Sequence, residues 1–308
     1  MNAETTPHPE DKPVLPAYLS VRQVAEYLQI NEKKVYALLR EGSIPATKVT
    51  GKWLFPRHLV DQWLLESTRG GVLSDRLLIT GSDDPLLHRM VHLFSEKLQE
   101  RAAVLYSPTG TALGLKLLAQ RKANACAIHW GPAEEAHRRH PALLRRHPQH
   151  RQWVLVRLYL REQGLMLSPR LATSDPRTDL FRNAGLRWVL RQEGAGSQRY
   201  LQEFLHRNGI DPETLNVVRR ARSEREAASL VAMGEADAAP GVHAAATESG
   251  LGFMSLGWEA FDLVLYRDVY FRTILQQCLT QLRSAQTREL ADMLEGYRFE
   301  DCGQVVLT

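Results

Sequence analysis

Residues 18–64 read YLSVRQVAEYLQINEKKVYALLREGSIPATKVTGKWLFPRHLVDQWL, and the order of signals within them decides how the fold begins. Ser20 is followed three residues later by Gln23, a capping-box pattern that opens a helix. Val21, Val24, Ala25 and Leu28 recur at i, i+3, i+4 and i+7, the apolar stripe of a short amphipathic helix. Gln29 and Ile30 make a turn, and Asn31 is placed to cap a second helix. There Val35, Leu38 and Leu39 face inward, while Lys33, Lys34, Tyr36, Ala37 and Arg40 face out. Gly42 ends that helix, because a helix C-terminus often needs a left-handed residue. Residues 44–55 alternate weakly around a hairpin tip at Thr50 and Gly51. A third helix is expected from Pro56, burying Leu59, Val60, Trp63 and Leu64. Two short helices at this spacing, the second with a basic outer face, match what reading a major groove requires.

The runs YLSVRQVAEYLQI, KKVYALLREGSIPATKV and GKWLFPRHLVDQWL resemble the excisionase-type, MerR-like winged helix-turn-helix. In that family the second helix enters the major groove and the wing touches the backbone. The resemblance therefore implies Asn31, Lys33, Lys34, Tyr36 and Arg40 as helix contacts to double-stranded DNA, with Lys48, Lys52 and Trp53 on the wing. Any one of these lysines also reads as a solvated charge, but the constellation favours DNA. The expected order is a polar, mobile tail over 1–16, a DNA-binding domain over 17–66 and a small-residue linker over 67–75. A homodimer is expected, because paired half-sites mirror two-fold symmetry.

A chain of 308 residues supports two or three folding units, and 44% hydrophobic with 24% charged residues is ordinary globular composition. The net charge of +4 and pI near 9.0 suit a nucleic-acid partner without demanding one. The N-terminal residues lack the apolar core of a signal peptide, and no later run is long enough to span a bilayer, so a cytoplasmic protein without a membrane partner is expected. Cys126, Cys278 and Cys302 are odd in number and widely spaced, which reads as reduced structural thiols rather than a disulfide framework or a metal site.

From residue 76 the texture becomes α/β. Strands are expected at 77–79, 103–106 and 123–128, alternating with helices at 84–98 and 109–120, a rhythm of a mostly parallel sheet covered by helices. The apolar stretch 153–167, WVLVRLYLREQGLML, carries Arg161 and Glu162 in its middle and reads as a strand passing between lobes. Further strands are expected at 188–190, 215–218 and 236–239, with helices at 195–207 and 224–233. The chain then returns through 261–266 to two helices at 270–282 and 285–295. A ligand-binding domain over 76–308 follows, with one lobe of about 76–160 and 247–308 and another of about 161–246.

Three strand-to-helix turns, at 80–85, 107–111 and 191–199, place hydroxyl and glycine residues at helix N-termini, where free N–H groups attract an anion. A fourth small-residue turn spans 234–241. In open α/β sheets such turns lie beyond the carboxyl ends of strands, where ligands bind. The segments GSDDP, SPTGT, REQGLMLSP, RQEGAGSQRYLQEFL and GEADAAPGV resemble the type II periplasmic-binding-protein fold, and within it the cytoplasmic branch of molybdate- and tungstate-type regulators. That resemblance implies an oxyanion held between lobes by hydroxyls and main-chain N–H groups, and nominates Ser82, Ser107, Thr109, Gly110, Arg191, Gly194, Gly196 and Ser197. Arg191, Arg199, Asp83, Asp84 and Glu193 make the region more polar than a bare oxyanion needs, so an organic acid or a pterin-type molecule stays open. Arg191 and Arg199 read equally well as salt bridges, Asp237 as a turn-stabilising carboxylate and His129 as a satisfied core or edge histidine. The His- and Arg-rich stretch 137–151 has no tight metal-ligand spacing and reads as a solvated face.

No P-loop, HExxH or GxSxG pattern occurs, so no enzyme and no catalytic cofactor is expected. The expected function is a one-component transcription regulator that senses a small anion, molybdate or tungstate in kind. The alternatives are an enzyme or carrier of molybdenum-cofactor metabolism, or an excisionase-like architectural protein.

Overall fold

The computed structural model describes residues 16–42, 44–49, 51–68, 76–171 and 179–307. The expected tail up to residue 15, Thr50 of the hairpin tip and linker residues 69–75 lie outside them. The chain divides into two compact units, Met1–Ser74 and Asp75–Thr308.

The first unit runs β1 (Tyr18–Leu19), α1 (Val21–Leu28), α2 (Glu32–Arg40), β2 (Thr47–Val49), β3 (Lys52–Pro56) and α3 (Arg57–Thr68), with its strands in the order β1-β3-β2. The Ser20 hydroxyl accepts the Gln23 N–H at 3.3 Å while Gln23 Oε1 accepts the Ser20 N–H at 2.8 Å, so both halves of the capping box form. Asn31 Oδ1 accepts the Lys34 N–H at 2.8 Å and starts α2, and Gly42 leaves it at φ +63°. Leu19, Val24, Val35, Ile44, Phe55 and Val60 fill the core, with Trp63 packed against them. Pro56 does not start the third helix. It ends β3 opposite Tyr18, in a ladder to β1, a strand too short to show in the pattern, and α3 begins at Arg57.

The second unit opens with β4 (Arg76–Gly81), α4 (Pro85–Leu98), β5 (Ala103–Pro108), α5 (Thr111–Ala119), β6 (Ala125–Ile128), α6 (Ala136–Leu144) and β7 (Trp153–Leu167). It continues through α7 (Asp179–Arg182), β8 (Arg187–Arg191), α8 (Gly196–Arg207), β9 (Asn216–Ala221), α9 (Glu224–Ala232), β10 (Ala238–Val242) and α10 (His243–Glu248). It closes with β11 (Gly252–Tyr266), α11 (Arg267–Tyr270), α12 (Thr273–Leu282), α13 (Ala285–Leu294), β12 (Tyr297–Arg298) and β13 (Val305–Leu307). The strand order is β5-β4-β6-β11-β7-β10-β8-β9, with β12 and β13 also on β7.

Two 15-residue strands, β7 and β11, pair antiparallel along their length and serve both lobes. One end of β11, Asp262 to Leu265, pairs with β6, and the opposite end of β7, Gln163 to Leu167, pairs with β10. Arg161 and Glu259 face each other where the strands pass between lobes, beside a bulge between Ser255 and Gly257. The return strand therefore starts at Gly252 rather than near residue 261, and the expected lobe boundary at 246 falls inside α10, before the crossing. β4, β5 and β6 are mutually parallel in one lobe and β8, β9 and β10 in the other.

The stretch 137–151 is not wholly a solvated face. His140 on α6 is fully buried, with Nδ1 2.7 Å from Asp262 Oδ2, while His137, Arg138, Arg145, Arg146 and Arg151 are exposed.

Helix α5 lies close on the sheet because Gly114 has no side chain. A Cβ there would come within 2.6 Å of the Gly81 Cα and 2.7 Å of the Cys126 Sγ. Gly114→Ala is expected to destabilise this unit by about 1–3 kcal/mol through overpacking, seen in thermal unfolding as about 2–4 °C per kcal/mol. An unchanged melting temperature would mean that α5 has room to move.

Candidate functional site

The carboxyl ends of β4, β5, β8 and β9 each run directly into a helix, so the N-termini of α4, α5, α8 and α9 gather at the crossing of the two lobes. They line a cavity of about 470 Å³ together with His129 at the end of β6. Its wall is formed by Ser82 and Asp83, residues 108–113, residues 191–196, and Arg222, Ser223 and Glu224.

These helix ends are not equivalent. Asp84 caps α4 by accepting the Leu87 N–H at 2.8 Å, and Ser223 caps α9 by accepting the Glu226 N–H at 3.0 Å. The N-cap residues of α5 and α8 are Gly110 and Ala195, which offer no side-chain cap. One helix from each lobe thus presents unsatisfied N–H groups and the positive end of its dipole to the cavity. The α5 end is held in place by local bonds: the N–H groups of Thr109 and Gly110 both donate to the Gly81 carbonyl at 2.8 Å, and Ser82 Oγ lies 2.6 Å from Thr111 Oγ1. The Tyr106 hydroxyl donates to the Ser82 carbonyl.

Two buried charged groups face this space with unmade bonds. Arg191 is 6% exposed. Its main-chain N–H is held by Gln198 Oε1 at 2.9 Å, and its Nε has no partner. Burial lowers its pKa, against the opposing pull of Glu224 and Asp83. Glu224, the first residue of α9, is 3% exposed, and its Oε2 has no partner. Burial pushes its carboxyl up, partly offset by Arg161, Arg191 and His129.

Beneath Glu224 lies a charge cluster closed to water. Arg161 Nε donates to Glu259 Oε1 at 2.6 Å, and its Nη1 donates to the Asp83 carbonyl at 2.7 Å and Asp84 Oδ2 at 3.1 Å. Its Nη2 makes no hydrogen bond and sits 4.0 Å from Glu224 Oε1. Glu259 is also bound by His129 Nδ1 and Gln163 Nε2, each at 2.7 Å, and Asp84 accepts the hydroxyls of Tyr159 and Tyr297 at 2.6 and 3.1 Å. Across the cleft the His129 ring lies directly against Gly196, where a Cβ would fall 2.0 Å from the imidazole, so the absence of a side chain lets the lobes meet.

Of the residues nominated from sequence, Ser82, Thr109, Gly110, Arg191, Gly194 and Gly196 line the cavity. Ser107 does not; it is exposed on β5, where side chains alternate, while its neighbour Tyr106 reaches the Ser82 carbonyl. Ser197 is buried and its Oγ has no partner, but it does not line the cavity. The turn at 234–241 joins a helix to a strand and so lies at the other end of the sheet, where Asp237 binds the Arg187 guanidinium at 2.9 and 3.1 Å. The fourth turn of the cleft is Arg222-Ser223-Glu224, which the strand-to-helix rule applied after β9 would have found. His129 is both a satisfied buried histidine and part of the cavity wall. Arg199 stacks over Trp130 at 4.1 Å and pairs with Glu203 at 3.1 Å, in an outer groove that continues past residues 193–195.

In the first unit, Lys33, Lys34, Tyr36 and Arg40 are exposed on α2, and Lys48 and Lys52 on the hairpin. Asn31 is exposed, with its Oδ1 engaged as the cap. Trp53 is half-buried against the core, and Lys48 Nζ lies 5.7 Å from its ring. Cys126, Cys278 and Cys302 are free thiols, and among the described residues no group of three or more His, Cys, Asp or Glu is arranged to hold a metal.

The sequence pattern described as the PBP superfamily domain matches residues 92–283, more than half of the chain, and that of a helix-turn-helix domain matches residues 18–68. The uncharacterized protein YvgK of Bacillus subtilis is 22% identical over 305 residues, covering 94% of this chain and 97% of that protein. The tungstate ABC transporter structure from Geobacter sulfurreducens is similar over 71% of this chain and 98% of that one, with a TM-score of 0.52 at 11% identity. A hydrogen peroxide-bound mutant of Corynebacterium glutamicum OxyR is similar over 89% of each chain, with a TM-score of 0.53 at 14% identity. At such identities the likeness to these structures is one of fold.

Burial alone would raise the Glu259 carboxyl, but His129 and Arg161, with hydrogen bonds from His129 and Gln163, hold it at about 2. A carboxyl depressed in the fold stabilises it fully above its ordinary value of 4.5 and loses that contribution as pH falls through about 2. Glu259→Gln, which leaves Arg161 short of a buried counter-charge, is expected to lower stability at pH 7 by about 3–5 kcal/mol. It should also flatten the acid-dependent loss between pH 4.5 and 2. Urea unfolding followed by near-UV circular dichroism checks both, and a wild-type midpoint at pH 7 would contradict the assignment.

Proposed function

Because the chain belongs to the PBP superfamily and carries a helix-turn-helix domain ahead of that match, we propose that it is a one-component transcription regulator whose DNA affinity is set by a small anion in the cleft. The observation that carries this reading is the pair of uncapped helix N-termini, α5 from one lobe and α8 from the other, beside the unpartnered Nε of Arg191. Many neutral donors converging from two sides can match an oxyanion without a lysine counter-ion. Molybdate and tungstate are the first candidates, and a tungstate transport protein shares the fold. An organic acid is the second, since about 300–1,000 Å³ is the range of pockets for small organic ligands and the cavity measures about 470 Å³.

The protein acts in this reading as a cytoplasmic sensor rather than an enzyme, and as a homodimer on paired half-sites. Lys33, Lys34, Tyr36 and Arg40 enter the major groove, with Lys48 and Lys52 on the backbone. An anion changes DNA affinity only by its difference in affinity for the two states of the protein.

Titration of molybdate, tungstate and phosphate against the full-length chain tests the proposal, with thermal unfolding reporting binding and gel retardation on a selected DNA site reporting output. At least one anion is expected to raise the melting temperature and to change DNA affinity by about five-fold or more. Arg191→Ala should remove both effects while leaving anion-free DNA binding intact. An anion that binds without changing DNA affinity would sink the switch.

A further inference from the structure

The wall of the cleft is not made of donors alone. Glu224 is 3% exposed, lines the cavity, and has an Oε2 with no hydrogen-bond partner. Its nearest cation, Arg161 Nη2, is 4.0 Å from the other carboxylate oxygen, beyond hydrogen-bond reach. The other carboxylates of the wall are differently placed. Asp83 Oδ1 also makes no hydrogen bond, but it has the His88 ring beside it, with Nε2 at 3.1 Å, and Glu193 is exposed to solvent.

A buried, unpartnered acceptor in the wall of a cavity ringed by anion-binding donors sets a condition on what fills it. We infer that the ligand carries a hydrogen-bond donor, a hydroxyl, amino group or acid proton, next to its negative charge, and that Glu224 is the residue that reads it; this rests on the anion-binding reading of the same cleft. A donor-free anion such as tungstate or sulfate meets Glu224 as a like charge, or occupies the site only after a proton has been drawn from solvent. A donor-bearing anion satisfies both sides of the cavity at once, its charge on the α5 and α8 N-termini and Arg191, its donor on Oε2. Size agrees with this. A water molecule takes about 30 Å³, so a cavity of about 470 Å³ has room for more than a tetrahedral oxyanion.

Two matched pairs of probes isolate the donor: hydrogen phosphate against sulfate, and glycolate against acetate. Calorimetric titration of the full-length protein at pH 7 is expected to show the donor-bearing member bound about ten-fold tighter or more in at least one pair, because a site built around a hydrogen bond rejects the analogue that lacks it. Glu224→Gln, whose amide can donate to an anion, is expected to narrow that ratio by strengthening the donor-free member. Sulfate and acetate bound as tightly as their partners by the wild type would overturn the inference while leaving the anion reading in place. So would a ratio unchanged in a folded Glu224→Gln protein. If that variant does not fold, the wild-type ratios decide. Molybdate or tungstate bound while none of the four probes binds would likewise overturn the inference and leave the anion reading in place, whereas no binding of any of these six anions removes both.

Discussion

Arg161 holds a full charge with none of its surface in water, and much of the second unit follows from satisfying it. A guanidinium does not shed its proton, so counter-charge has to be brought to it. Glu259 arrives on the returning strand, Asp84 and the Asp83 carbonyl on the first strand-to-helix turn, and Phe261 closes one face of the ion at 4.3 Å. These groups meet only if β7 and β11 cross between the lobes in the register that sets Arg161 opposite Glu259. A slip of one residue would turn Glu259 to the other face of the sheet and strand the arginine.

Satisfying Arg161 also decides which helix ends stay open. Asp84 is drawn into the cluster and at the same time caps α4, so that terminus is closed to a ligand. Helices α5 and α8 have glycine and alanine where a capping side chain would stand, and remain open. His129 is fixed by Glu259 and rests on Gly196, so the α8 terminus is referred to the same buried cluster. Further ties between the lobes on this side, among the described residues, are Arg139 to Glu203 at 2.7 Å, Arg207 to Glu135 at 3.4 Å and Arg199 over Trp130. All are partly exposed, a class of interaction that contributes little to stability. The two lobes are therefore joined by two continuous paired strands and, at the rim, by partly exposed contacts, the arrangement that the proposed switch would use.

Local signals in the sequence were sufficient wherever neighbours in the chain do the work. Ser20 with Gln23, Asn31 and Gly42 delimit the first two helices, and the apolar run 153–167 marks the crossing strand to the residue. The strand-to-helix turns located three of the four turns of the cleft for the same reason. The remainder depends on partners far apart in sequence. Arg161 and Glu259 are separated by 98 residues, and nothing in either neighbourhood announces the pair before the two strands are in register. Glu224 follows the cap Ser223 as the first residue of a helix, a place where a carboxylate is ordinary and carries no signal of its own. Ser107 shows the limit of composition: a hydroxyl in the right turn sits on the wrong side of a strand, because alternation rather than residue type decides which way it faces.

A cavity lined only by donors would accept oxyanions with little discrimination, since main-chain N–H groups respond to charge and hardly to what else a ligand carries. A buried carboxylate in the same wall lowers the affinity for most anions and raises the contrast between them. Its position adds a second consequence. Glu224 belongs to α9 of one lobe, yet its nearest cation is Arg161 on the strand that joins both. A ligand group that engages Glu224 changes the field at the one residue around which the crossing is organised. On the proposed reading, a ligand donor on Glu224 would therefore be coupled electrostatically to Arg161, on the strand shared by both lobes.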